Sequence, residues 1–115
     1  MKINKKAGLV KIGILILSLI SSYAVADEVW FTGSIKKLYP LGYGAFVVIF
    51  KEQNAACKNE VQYHYAVVNQ NRVTKEGIQI MYSTLLMAAT TGKKVNIAFD
   101  TSSTRCYINR LSVAF

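Results

Sequence analysis

Residues 82–99, YSTLLMAATTGKKVNIAF, hold the end of a helix, a stop and the start of a strand. The helical pattern begins earlier, with Thr74 as N-cap and Glu76 in the first turn, where an acidic side chain suits the positive end of the helix dipole. It runs to about Thr91. Gly92 is a natural C′ residue, and Lys93 and Lys94 suit the negative end. Beyond them Val95, Ile97 and Phe99 alternate with other residues at the two-residue period of a strand. The helix is unusual. Between Ile78 and Ala89 the residues Ile78, Ile80, Met81, Tyr82, Leu85, Leu86, Met87, Ala88 and Ala89 cover most of its circumference, whereas a surface helix carries one apolar stripe. One face is expected to fill the core. A second, through Ile80, Leu86 and Met87, needs a long loop of the same chain or another copy to cover it.

Working back from the helix, VQYHYAVV (61–68) is rich in β-formers and reads as a strand. KEQNAACKN before it is polar and loop-like. AFVVIF (45–50) is a short continuous apolar run, the mark of a buried strand. LYPLGYG holds the one proline, Pro40, with Gly42 and Gly44, and is a turn signal. VWFTGSIKKLY (29–39) is the first strand, with Val29, Phe31, Gly33 and Ile35 opposing Trp30, Thr32, Ser34 and Lys36. After the helix and KKVNIAF, DTSSTRC is a polar loop and YINRLSVAF the last strand. The order is β-β-β-α-β-β. One helix between the third and fourth of five strands is the order of a five-stranded OB-like Greek-key barrel. An open α+β sheet gives the same string, but one helix covers a five-stranded open sheet poorly, so the barrel is the expected fold.

The first 26 residues read differently. Lys2, Lys5, Lys6 and Lys11 precede the apolar run IGILILSLI and the small-residue stretch SSYAVA. This is a secretory signal peptide with a cut after Ala26; the apolar run is too short for a membrane span. No cysteine sits at the cut to carry a lipid. Residues 27–115 then form one OB-like domain. The four lysines leave with the peptide, so the net charge falls from +8 to +4. The remaining basic residues are scattered, as in Lys36–Lys37 and Lys93–Lys94, and read as solvated edges. Two cysteines remain, Cys57 and Cys106. In an exported chain an even count predicts a disulfide, and two cysteines allow one pairing.

Catalytic signals are weak, and the expectation is a non-enzyme. His64 stands alone in a strand, and an imidazole without a positioned partner reads as a surface or satisfied polar residue. The carboxylates Asp27, Glu28, Glu52, Glu60, Glu76 and Asp100 form no facing pair that sequence can identify. There is no metal-ligand spacing, phosphate-binding loop or nucleophile elbow, so no metal and no cofactor is expected. Single-stranded nucleic acid, an OB-fold ligand, is not expected for an exported chain of modest charge. Tyrosines are frequent at 39, 43, 63, 65, 82 and 107, with Trp30 and Phe31 nearby. Flat apolar faces with a hydroxyl suit both sugars and proteins.

The pieces EVWFTGSIKKLYP, AFVVIF and TTGKKVNIAF together resemble the small B subunits of bacterial A–B toxins, in particular those of the subtilase-cytotoxin and typhoid-toxin type. The resemblance covers most of residues 27–115. It implies an OB barrel, a ring of five copies with helices lining the centre, binding of sialylated cell-surface glycans, and a toxin A subunit as partner. In that family a first-strand serine contacts the sugar acid; the matching residue is Thr32, which keeps the hydroxyl. A lysine beyond the second strand also contributes, and Lys51 lies at that place. The second-strand cysteine of the family is replaced by Val47 or Val48, and the cysteine-bearing tail is lacking. The expectation is therefore a secreted or periplasmic, oligomerising, glycan-binding subunit. A small protein-binding domain, an inhibitor or envelope accessory protein using the helix face, is the alternative.

Overall fold

The structure is a computed structural model that describes residues 27–115. Residues 1–26, expected from the sequence to be a signal peptide, lie outside the described residues. Five strands and one helix follow in the order β1 (Glu28–Leu41), β2 (Ala45–Phe50), β3 (His64–Ala66), α1 (Lys75–Thr91), β4 (Lys94–Asp100) and β5 (Ile108–Val113). The strands form one antiparallel sheet in the order β3-β2-β1-β4-β5. The expected element order holds, and the expected third strand shrinks to three residues. Its first half is pulled out of the sheet by a turn at 59–63, where Asn59 Oδ1 accepts the Tyr63 N–H at 2.9 Å and Gln62 takes a positive φ of 60°.

β1 is the pivot. Glu28–Ser34 pair with β4 and Ile35–Leu41 pair with β2, with a register shift between Ile35 and Lys37. An irregularity of this kind bends a strand and increases its twist, so one strand serves both halves of a curled sheet. Gly33 sits at the bend. A Cβ there would lie 2.9 Å from Phe31, Phe50 and the Glu52 carboxylate, so the crossing of Glu52 over β1 requires glycine. The curl stops short of closure. β3 and β5 form no ladder; instead Tyr65 N–H donates to Arg105 O at 3.2 Å, and the Cys57–Cys106 disulfide spans the same gap with Cα atoms 5.7 Å apart.

The core lies between the concave side of the sheet and α1. Phe46, Val48, Val95, Ile97, Phe99 and Ile108 meet Ile78, Met81, Leu85 and Ala88. Those four helix residues recur at the spacing of a single stripe. Thr74 caps the helix by accepting the Gly77 N–H at 3.0 Å, and Gly92 ends it with φ 70° while its N–H reaches Ala88 O. Among the described residues no helix is long and apolar enough to cross a membrane.

Candidate functional site

The second face of α1 is uncovered by any described residue. Ile80 is 66% exposed and Leu86 44%, while Met87 is half-buried. Of the two sequence alternatives, cover by a long loop of the described chain is thereby ruled out. No charged residue occurs from Gly77 to Thr91. The Ser and Thr hydroxyls on this side are bonded within the helix. Ser83 Oγ donates to Gln79 O and Thr84 Oγ1 to Ile80 O, both at 2.9 Å. Thr90 and Thr91 donate to Met87 O at 3.0 and 2.7 Å. Hydroxyls bonded back to the preceding turn need no water, so these four can be buried without stranding a donor, while the exposed Gln79 amide on the same side keeps its N–H groups for a partner. Two grooves flank the helix. One, of about 320 Å³, runs between α1 and β5 beside Ile80 and Leu111; the other, of about 310 Å³, runs between α1 and the β1–β2 hairpin beside Pro40 and Tyr82.

Thr32 and Lys51 come to the same stretch of β1, but no hydrogen bond joins them. Thr32 points outward, cross-strand to Asn96, and its Oγ1 donates to Asn96 Oδ1 at 3.0 Å. A ligand that needs the Thr32 proton has to displace that bond, whereas the Asn96 amide keeps its own N–H donors. Lys51 N–H donates to Ser34 O at 2.8 Å. Its side chain lines a shallow polar depression of about 220 Å³ with Lys36, Glu52, Gln53, Glu60 and Gln62. Glu52 accepts the Ser34 N–H at 2.7 Å. That bond, then its own backbone N–H, then the charge of Lys94 hold the Glu52 carboxyl below the usual carboxylate range. The Glu52 carboxylate lies against Gly33, Phe31 and Phe50, on the side of β1 opposite to the Thr32 side chain, and Thr32 does not line the depression that holds Lys51.

Sequence reasoning missed Asn96 and Glu52, because their roles depend on cross-strand register. It also left Trp30 unassigned. Trp30 is 51% exposed on the same outward face, with the Arg110 guanidinium 5.2 Å from its ring centroid. Arg110 also lies 3.7 Å from the Glu28 carboxylate.

His64 is a core residue. It is 1% exposed, with Phe31, Phe50 and Phe99 rings at 6.1, 5.2 and 5.6 Å. Nδ1 lies 3.2 Å from Val48 O and Nε2 3.0 Å from Asn54 Nδ2. A carbonyl on one side and an amide donor on the other fit the neutral ring protonated on Nδ1. Burial lowers its pKa below 6.5, against the raising effect of the backbone at Val48 and Gln62. The unfolded chain therefore binds the extra proton first. Stability is full above about pH 6.5 and falls as pH drops toward the folded pKa, by at most about 1.4 kcal/mol per pH unit. A urea midpoint that falls between about pH 7.5 and about pH 5.5 is the expected result; a flat midpoint contradicts it.

No family model matches the chain, and no curated protein matches it in sequence. Solved structures do match. The cholera toxin-like B subunit from Citrobacter freundii superposes with a TM-score of 0.59 at 16% identity, over 76% of this chain and 87% of that one. A heat-labile enterotoxin structure that describes lactose binding gives 0.59 at 18%, over 87% and 96%. A human heat-labile enterotoxin in complex with a blood group A antigen analog gives 0.57 at 19%, also over 87% and 96%. The chain has the OB-type fold of toxin B subunits. The likeness reaches across nearly the whole length of those chains.

Proposed function

We propose that residues 27–115 form an exported, oligomerising glycan-binding subunit of the toxin B-subunit type. The observation that carries the reading is α1: an uncharged, half-apolar helix face with its hydroxyls satisfied internally, exposed on a fold shared with toxin B subunits. Ile80, Leu86 and Met87 form the assembly face, and the flanking grooves receive side chains of neighbouring copies. Five copies is the number the sequence resemblance implies, and a toxin A subunit enters this reading on the same ground alone. The disulfide fits an oxidising compartment outside the cytoplasm, in keeping with a cleaved signal peptide.

In this reading Thr32, with Asn96, and Lys51, with Glu52, contact a surface sugar. Hydroxyl-rich contacts with one lysine suit a glycan whose acid group, when present, lies toward Lys51. The Thr32→Ala chain is expected to lose glycan-array signal while keeping its solution mass. Unchanged binding removes Thr32 from the site. The alternative, a domain that uses the helix face to hold another protein, predicts a monomer or dimer and an array without carbohydrate signal.

A further inference from the structure

A second surface lies on the opposite half of the outward sheet face. Tyr39 on β1, Val47 on β2 and Tyr65 on β3 are cross-strand partners, so all three point away from the core. Val47 is nevertheless 1% exposed, because aromatic rings close over it. Those rings form a row. Tyr39 lies 6.0 Å from Tyr63, Tyr63 lies 6.0 Å from Tyr65, and Tyr65 lies 6.5 Å from Tyr107. Cations sit against the row. Lys37 Nζ is 5.3 Å from the Tyr39 ring, and the Arg105 guanidinium is 5.1 Å from the Tyr65 ring. Both are exposed, and among the described residues neither is paired with a carboxylate; the ion pairs there go to Glu28.

The geometry points to this tyrosine row as a second binding surface, distinct from Thr32 and Lys51, for an extended anionic oligosaccharide. Three observations select that ligand. First, the row spans three ring-to-ring steps and is too long for a single sugar. Second, neighbouring rings are tilted by 64°, 59° and 64°. Tilted rings offer hydroxyls and edges alternating with faces. That suits sugars, which carry C–H and O–H groups together, better than a run of parallel bases, which needs open parallel faces. Third, the unpaired cations Lys37 and Arg105 favour sulfates or carboxylates along the chain. OB folds bind oligonucleotides and oligosaccharides on the face of their second and third strands and the adjoining loops, which this row partly shares.

The row is held rigid before any ligand arrives. Asn59 Nδ2 donates to Tyr63 O at 2.9 Å and to Thr104 O at 2.7 Å. The Cys57–Cys106 bridge fastens the loop of Tyr63 to the loop of Arg105 and Tyr107. Rigid tyrosines lose little entropy on binding.

This inference rests on the glycan-binding reading but not on its site. The test is calorimetric titration of oxidised residues 27–115 with a heparin-derived hexasaccharide. The Lys37→Gln/Arg105→Gln chain, changed only at exposed positions, is expected to bind about tenfold more weakly or worse, the worth of one charge-assisted hydrogen bond. Thr32→Ala is expected to bind it normally, and neutral maltohexaose to bind far more weakly. Hexasaccharide binding unchanged in the double variant overturns the row while leaving a Thr32-dependent array signal intact. Equal binding of oligo(dT) overturns the carbohydrate assignment in favour of nucleic acid. A changed solution mass of the double variant overturns it in favour of an interface between copies. Silence on both the hexasaccharide and the array overturns the row together with the glycan reading.

Discussion

A chain carrying Cys57→Ser and Cys106→Ser is expected to lose about 4 kcal/mol of stability and to be largely unfolded at 37 °C. The bridge closes a loop of 49 residues, and the chain-entropy model gives about that value for such a loop. Its position adds a second reason. β3 and β5 are the free edges of the curled sheet, and the backbone joins them through the Tyr65 to Arg105 hydrogen bond rather than a ladder. The disulfide does the work of the missing ladder. A domain of this size buries a modest core, so it depends on such a staple. Urea unfolding of oxidised and reduced protein measures the difference. A midpoint that does not move on reduction contradicts this account.

The second large effect is on assembly. Ile80→Glu with Leu86→Glu places two carboxylates on the uncovered face of α1, at positions whose side chains are exposed in the single chain. Folding should therefore change little. Burial of unpaired carboxylates between copies is costly, so the double variant is expected to be a folded monomer with an unchanged circular dichroism spectrum. Leu85→Ala is the contrasting control. Leu85 is fully buried against the sheet, and its truncation costs about 2–5 kcal/mol of folding stability. Its effect is on unfolding rather than on mass. Loss of folded structure in the Ile80/Leu86 variant places that face in the core of the single chain and contradicts the assembly reading.

Much of the fold was legible because its signals are local. Thr74 and Gly92 mark the helix ends by cap chemistry within one turn, and the alternation in β1 and β4 sorts inward from outward residues. The disulfide followed from arithmetic. The shortened β3 was not legible, because the turn that removes Val61–Tyr63 from the sheet is fixed by Asn59, whose side chain also bonds Thr104 across 45 positions. Alternation grouped His64 with Ala66 but did not say which face is the core. Thr32 was singled out by resemblance; its partner Asn96, and Glu52 bonded to Ser34, appear only once β1, β2 and β4 are in register. The tyrosine row is the clearest case. Residues 39, 63, 65 and 107 are ordinary β-formers in sequence, and the pairing of Tyr39, Val47 and Tyr65 makes them neighbours.

The most direct test of assembly through α1 is the solution mass of oxidised residues 27–115, by light scattering on a sizing column. The account predicts several copies, five by the resemblance, and a shift to a single copy for Ile80→Glu/Leu86→Glu. A parent protein that elutes as a monomer at every concentration contradicts it.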